Sequence, residues 1–293
     1  MSCSRFFGAP SELGSHFIGA QELPSVFPVP YRRSISTLGC PEYSLEQALA
    51  LARRHTLDAV ELRSLSGSLD VPAALAAAYG TPAALAARMK SAPASIVALD
   101  ASLRLAANTP ADRVDFLRLV PWAEAGGVPW LRVFDGGTAM DDATLRTMAE
   151  TVAWWRTEKK SHGWKTDMMV ETHDALSTTA ALRQFLALVP GTAILWDSHH
   201  TWRRGGEDPL ATWRALSPHI VHVHVKDSIS RPSAKHPHTY VPPGDGEFPI
   251  APLRAALQAE FSGTVCLEWE KLWHPYLGPL DDALAAAARR NWW

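Results

Sequence analysis

The sequence predicts an α/β fold, a single (β/α)8 TIM barrel, on three observations. Eight short β-type runs alternate with longer helical stretches from about residue 34 onward, the rhythm of parallel α/β architecture. A length of 293 residues suits eight βα units, which need about 250 residues. Residues able to bind a metal gather at the ends of the later runs, where a barrel places its active site. A doubly wound open sheet would also alternate strands and helices, but eight units and this placement of polar residues favour the barrel.

Residues 1–33 read as an irregular leader with Pro10, Pro24, Pro28 and Pro30. They lack the basic start and apolar run of a signal peptide. The barrel is expected over 34–293. Its first strand is placed at Ser34–Gly39, and Ser44-Leu-Glu-Gln47 has the form of a capping box opening the first helix. Asp58–Leu62 is the second strand, followed by an Ala-rich stretch at 73–87 of good helix formers. After the third strand, Ser95–Asp100, Thr109-Pro110 sets a cap before a proline at the first helical position. Trp130–Phe134 is the fourth strand, and Leu145, Met148, Val152 and Trp155 then recur on one helical face. Asp167–Glu171, Ala193–Asp197, His219–Val225 and Thr264–Trp269 complete the eight, with an Ala-rich helix at 283–288 after them. Neither a fixed-period repeat nor a low-complexity linker interrupts the pattern, so one domain is the economical reading.

Composition excludes several partners. The net charge of −2 offers no attraction for nucleic acid or an anionic membrane surface. No apolar run reaches the roughly eighteen residues of a membrane span. Cys3, Cys40 and Cys266 are scattered and odd in number. They suggest no disulfide framework and suit a reducing, cytoplasmic setting.

Nine of the twelve histidines lie at or after position 173, concentrating metal-binding capacity in the second half. Four strands end in such residues: Glu171-Thr-His173-Asp174, Asp197-Ser-His199-His200, His222-Val-His224-Val-Lys226-Asp227, and Glu268-Trp-Glu270. Strand alternation puts Met169 with Glu171, Leu195 with Asp197, His222 with His224 and Lys226, and Glu268 with Glu270. Three carboxylates and an imidazole then converge from four strands. Uncompensated, they would repel one another and some would stay protonated; a divalent cation resolves the conflict. An O₃N set suits Mn²⁺ first, with Mg²⁺, Co²⁺ and Zn²⁺ as alternatives, and excludes all-thiolate ligation. By parity Glu270 could replace Glu268, whereas His222 falls one layer deeper, among core side chains.

The runs Glu171-Thr-His-Asp, Trp196-Asp-Ser-His-His200, His222-Val-His-Val-Lys-Asp227 and Glu268-Trp-Glu-Lys-Leu-Trp-His274 resemble the sugar phosphate isomerase/epimerase superfamily, the xylose-isomerase-like barrels. The Gly244-Asp-Gly-Glu-Phe-Pro249 turn fits the same pattern, and Ala59-Val-Glu-Leu-Arg63 and Leu131-Arg-Val-Phe134 match it more weakly. The resemblance covers roughly residues 34–290. It implies metal ligands Glu171, Asp197, His224 and Glu268. It also implies that Glu171 and Glu268 move protons on opposite faces of a metal-bound enediolate. His200 would touch substrate hydroxyls, and Lys226 would be a further polar contact. The implied activity is a metal-dependent isomerase or epimerase of a sugar or sugar derivative. The alternative is a lyase or dehydratase of a keto-sugar, keto-inositol or 3-keto-glycoside, because one intermediate serves all these outcomes.

Other residues carry two readings. His173 shares parity with Glu171 and is either a rim contact to substrate or a loop residue. Arg203 and Arg204 could grip a phosphate or carboxylate, or form a surface pair. His199, His236 and His238 are expected in solvated loops. Trp196, Trp202, Trp269 and Trp273 either pack or stack on a sugar ring, and Gly244–Gly246 weakly suggests a phosphate cradle. Abasic-DNA hydrolysis, the chemistry of related endonuclease IV barrels, would need more His and Glu ligands and a basic groove. A non-catalytic sugar-binding barrel would not need two opposed carboxylates on one metal. The expected partner is therefore a small carbohydrate, with neither nucleic acid nor membrane. Pairing into a homo-oligomer is an expectation by analogy only.

Overall fold

A computed structural model of the chain describes Met1 and residues 30–293. The expected leader, apart from Met1 and residues 30–33, lies outside the described residues. Eight parallel strands close a barrel: β1 (Arg32–Ser36), β2 (Ala59–Leu62), β3 (Ser95–Arg104), β4 (Trp130–Phe134), β5 (Asp167–Glu171), β6 (Ala193–Asp197), β7 (Ile220–Val225) and, after a hairpin, β10 (Thr264–Leu267). β1 pairs with both β2 and β10, which completes the closure. The hairpin strands β8 (Asp227–Ile229) and β9 (Thr239–Val241) pair antiparallel outside the barrel.

Helices fill the crossovers: α1 (Leu45–Arg54), α2 (Val71–Tyr79), α3 (Pro82–Met89), α4 (Pro110–Leu117), α5 (Val120–Gly126), α6 (Asp142–His162), α7 (Thr179–Leu188), α8 (Ser198–Arg203), α9 (Pro209–Leu216), α10 (Ile250–Glu260) and α11 (Leu280–Arg289). The capping box of α1 forms as its sequence predicts. Gln47 N donates to Ser44 Oγ at 3.3 Å, and Ser44 N donates to Gln47 Oε1 at 2.9 Å. Thr109 caps α4, with Asp112 reciprocating at 2.7 Å. The Ala-rich stretch makes two helices instead of one. Gly80 leaves α2 at φ +75°, and Thr81 caps α3 ahead of Pro82. In α6 the buried face is Met148, Thr151, Val152 and Trp155.

Five strands differ from the sequence expectation at a boundary, β2 and β7 only by starting one residue later, at Ala59 and Ile220. β1 starts at Arg32, and Thr37–Gly39 turns away as a 3-10 segment with Ser36 as its cap. β3 runs on to Arg104, and β10 ends at Leu267. Glu268 nevertheless stays in line, because its N–H donates to the Val225 carbonyl at 3.1 Å.

The strands bury side chains on both faces. Outward residues such as Val60, Leu99, Leu131, Val170, Val223 and Val265 join the main core beneath the helices. Ala98, Met169 and Leu195 form a separate apolar cluster, flanked by Trp130, Ala193 and Val221. The next residue but one along each of those three strands is polar: Asp100, Glu171 and Asp197. The barrel interior thus changes from apolar to charged on moving toward the C-terminal ends of its strands.

Candidate metal centre at the C-terminal end of the barrel

Glu171 ends β5, Asp197 ends β6, His224 lies on β7 and Glu268 follows β10. Each offers one ligand atom, and these four atoms lie within 4.8 Å of one another. All four residues are buried. Nδ1 of His224 is 3.4 Å from Glu268 Oε2 and 3.8 Å from Glu171 Oε1. Glu270 stands apart from this set, paired with Lys226 at 2.6 Å and facing His274 at 3.6 Å.

A second ring of polar groups holds the first. The other nitrogen of His224, Nε2, meets Glu61 Oε2 at 2.9 Å, and the same oxygen is 2.9 Å from His222 Nε2. His222 is therefore buried one layer down, as its position on the strand predicts, but against a carboxylate. Arg132 lies between Asp100 and Glu171, 3.3 Å from an oxygen of each. Its guanidinium sits 4.0 Å above the Phe134 ring. Asp197 also caps α8: its Oδ1 accepts from His199 N and His200 N, both at 2.9 Å. Its Oδ2 is left facing Lys226 at 2.8 Å.

Lys226 is buried among carboxylates, 2.5 Å from Glu268 Oε2 and 2.6 Å from Glu270 Oε1. Burial alone would discharge the amine, but Asp197, Glu268 and Glu270 overcome it and hold the pKa well above the usual lysine value. Similar contests set the other charges. Burial raises Glu171, with Arg132 opposing. Burial also acts to raise Glu268, but Lys226 and His224 prevail and hold it well below the carboxylate range. Burial would lower His224, yet Glu61 and Glu268 carry it well above an ordinary imidazole. Asp100 is pushed well up by burial and then by Glu61, with Arg132 opposing.

The structure places the other sequence candidates unevenly. His200 and Lys226 line the small cavity above the four donors, as do His173, Arg63, Phe134 and Trp273. His200 Nδ1 faces the Thr172 carbonyl at 3.1 Å, and its Nε2 lies 3.5 Å from Lys226 Nζ. Burial and the Lys226 charge keep His200 neutral. His173 sits at the rim, 3.0 Å from Asp174 and edge-on to Phe134 and His200.

Arg203 corrects the expectation of a substrate contact. It turns outward to bond Ser228, Ser230 and Glu247 and lies 3.9 Å over the Trp202 ring, away from the cavity lining. Arg204 bonds the His173 carbonyl. His199 and His238 are buried rather than solvated. The β8–β9 hairpin folds over them, so that His199 bonds Ser228 at 2.8 Å and packs on His238 and Tyr240. The Gly244–Gly246 turn offers no free cradle. Asp227 already accepts from Gly244 N at 2.8 Å, Gly246 N at 3.0 Å and Phe248 N at 3.1 Å. A Cβ added at Gly246 would come within 2.0 Å of that carboxylate. Trp196 and Trp269 are core side chains, while Trp273 is part-exposed at the cavity.

Sequence reading singled out neither Glu61 nor Arg132 as a functional residue, although both lie in the weakly matching first half of the pattern. An inward carboxylate on β2 and an inward guanidinium on β4 are the signals that alternation supplies for them.

A parallel eight-stranded barrel with three carboxylates and an imidazole gathered at the C-terminal ends of its strands defines a barrel with a candidate metal centre. The xylose isomerase-like TIM barrel family profile matches residues 49–292, and the chain belongs to that family. No curated protein sequence matches the chain. Among solved structures it is similar to the probable 3-DHS dehydratase AsbF of Bacillus anthracis, at 18% identity and a TM-score of 0.70, covering 88% of this chain and 97% of that one. It is also similar to the IolI protein with a bound zinc atom, at 16% identity and a TM-score of 0.67, covering 89% and 96%. A third similar structure is the 3-keto-D-glucoside 4-epimerase YcjR of E. coli, at 12% identity and a TM-score of 0.62, covering 89% and 99%. At these identities the likeness is one of fold. Among the described residues, no helix is long and apolar enough to cross a membrane.

Proposed function

We propose that this chain is a divalent-metal-dependent isomerase or epimerase acting on a small sugar or sugar derivative. The observation that carries the reading is the convergence of Glu171, Asp197, His224 and Glu268 within 4.8 Å. A cation fits them on the chemistry of the donors. His224 Nδ1 is buried without a hydrogen-bond partner, a costly state for a polar atom unless something binds it. Three carboxylates and one imidazole suit Mn²⁺ first, then Mg²⁺, Co²⁺ or Zn²⁺; the similar IolI structure holds zinc. Bound there, such a cation supplies Lewis acidity beside a carbon that loses its proton.

The chain's own residues supply the proton traffic. Glu171 and Glu268 reach the cavity from β5 and β10, separated in the barrel by β6 and β7, so they approach a substrate from different sides. Glu171, its pKa raised by burial, takes up and keeps a proton more readily than an ordinary carboxylate, whereas Glu268 starts as a carboxylate. Arg132 fixes Glu171 from behind at 3.3 Å. Lys226 and His200 are placed to bond substrate oxygens. Return of the proton to the opposite face of the same carbon gives epimerisation, and return to the next carbon gives isomerisation.

A lyase or dehydratase of a keto-sugar, keto-inositol or 3-keto-glycoside is the second reading. The buried Lys226 ammonium, 3.5 Å from His200, favours it as a donor to a departing hydroxyl. Product mass after incubation with Mn²⁺ and a panel of ketoses and 3-keto-glycosides separates the two. Unchanged mass supports isomerisation or epimerisation, and loss of water supports dehydration. A purified protein that binds no divalent metal would overturn both.

A further inference from the structure

Three cations line the cavity above the metal-ligand cluster, and one of them lacks an anion. Arg132 is paired with Asp100 and Glu171, and Lys226 with Asp197, Glu268 and Glu270. Arg63 is 6% exposed and lines the same cavity. Its one side-chain hydrogen bond runs from Nη2 to Ser102 Oγ at 3.2 Å. Among the described residues no carboxylate lies within 4.0 Å of its guanidinium; every such pair in the barrel interior belongs to another cation. Burying a guanidinium without a partner is costly, and Arg132 nearby adds like-charge repulsion.

The backbone that carries Arg63 is fixed. Arg63 N and Ser64 N both donate to Thr37 Oγ1, at 3.0 and 3.1 Å, and Ser64 Oγ returns a bond to the Thr37 carbonyl at 3.1 Å. The side chain starts from a fixed point at the cavity wall, with Ser102 Oγ as its hydrogen-bond partner. A cation occupying the four donors would engage Glu171 and Glu268, two of the three carboxylates that reach Arg63 only at longer range, and leave the third, Asp100, which already faces Arg132. A planar fork of N–H donors at the wall of this cavity matches a carboxylate.

We propose that Arg63 binds a carboxylate carried by the substrate, so that the substrate class is acidic sugars or their keto derivatives. This rests on the reading of the site as a sugar-processing centre. The test compares matched compounds on the Mn²⁺-loaded protein by calorimetry: D-glucuronate with D-glucose, D-galacturonate with D-galactose, 2-keto-D-gluconate with D-fructose, and D-glucose 6-phosphate. The expected result is that at least one acid binds roughly 10- to 100-fold more tightly than its neutral counterpart. In Arg63→Gln that preference, read as the ratio of acid to neutral affinity, should fall to near parity. Arg63→Lys, which keeps the charge and folds under milder strain, should retain part of it.

Parity between acids and neutral sugars in the unaltered protein would overturn the proposal, as would a preference that survives in Arg63→Gln or is undiminished in Arg63→Lys. An Arg63-dependent preference for the sugar phosphate alone would overturn the carboxylate assignment. Binding is read without turnover, so this result is separable from the proposed reaction. Solvent deuterium entering neutral ketoses with no acid preference would sink the Arg63 proposal alone. Acid preference without exchange into any compound would sink the reaction and leave the Arg63 contact standing.

Discussion

Glu61 and His224 meet at 2.9 Å, Oε2 to Nε2, although 163 residues separate them in the chain and β1 and β10 stand between their strands. The contact fixes which nitrogen of His224 turns toward Glu171 and Glu268, leaving Nδ1 as the available ligand atom. Replacing Glu61 with Gln removes the charge but keeps the shape. Metal affinity, measured by competition with a chelating dye, should fall roughly 10- to 100-fold with the fold intact. Unchanged affinity would show that Glu61 plays no part in presenting His224.

Metal uptake should release protons and strengthen with rising pH. Burial acts to lower the His224 pKa, but Glu61 and Glu268 raise it well above 6.5, so a cation must displace the proton at Nδ1. Affinity should climb about tenfold per pH unit for each proton displaced, from below pH 6.5 up to the raised pKa. The stability linkage has the opposite sign. A raised folded-state pKa contributes stability that is full below about pH 6.5 and is lost as pH rises through the folded value. Metal-free protein should thus lose this contribution on the alkaline side, and thermal unfolding between pH 6 and 9 checks it.

Lys226 neutralises carboxylates that a cation would also neutralise. In Lys226→Gln, Asp197, Glu268 and Glu270 lose the ammonium that lies 2.5–2.8 Å from each. Breaking such a buried pair costs about 3–5 kcal/mol. Mn²⁺ should then raise the melting temperature of the variant by more than it raises that of the unaltered protein. Equal shifts in the two would contradict the shared role.

Asp227, the neighbour of Lys226, organises the Gly244–Phe248 turn by accepting four backbone N–H groups, from Ser228, Gly244, Gly246 and Phe248. Asp227→Ala strands those donors at a cost of about 2–4 kcal/mol. That corresponds to a fall of roughly 5–10 °C in melting temperature for a domain of this size. Asp227→Asn, with one acceptor oxygen retained, should fall in between.

The barrel and the convergence of four side chains were legible because parallel strands buried on both faces write their positions into the chain as apolar runs, and period-two alternation then aligns Glu171, Asp197, His224 and Glu268. The residues behind them were harder to find. Glu61 and Arg132 matter through partners on distant or neighbouring strands, a relation that exists only after closure. Arg203 next to the His199-His200 pair read as a possible anion grip because nothing in the sequence shows that the β8–β9 hairpin brings Ser228, Ser230 and Glu247 to it. The same hairpin buries His199 and His238, which local polarity assigned to solvent. The end of β1 was misplaced for a different reason. Thr37-Leu-Gly39 has strand-compatible composition, but the chain must bend there to pass Trp269, whose carbonyl lies 2.9 Å from where a Cβ on Gly39 would be.

The most direct measurement of the central claim is solvent exchange. The Mn²⁺-loaded protein and its Glu171→Gln variant would be incubated in D₂O with ketoses, keto-inositols, 3-keto-glycosides and their acids, and deuterium in recovered compound read by mass spectrometry. The account predicts uptake at carbon next to the carbonyl of at least one compound. That uptake should be lost on chelation and fall roughly 10²- to 10⁴-fold in Glu171→Gln. Uptake that persists in the variant, or no uptake anywhere from protein shown to hold the metal, would contradict proton abstraction by Glu171.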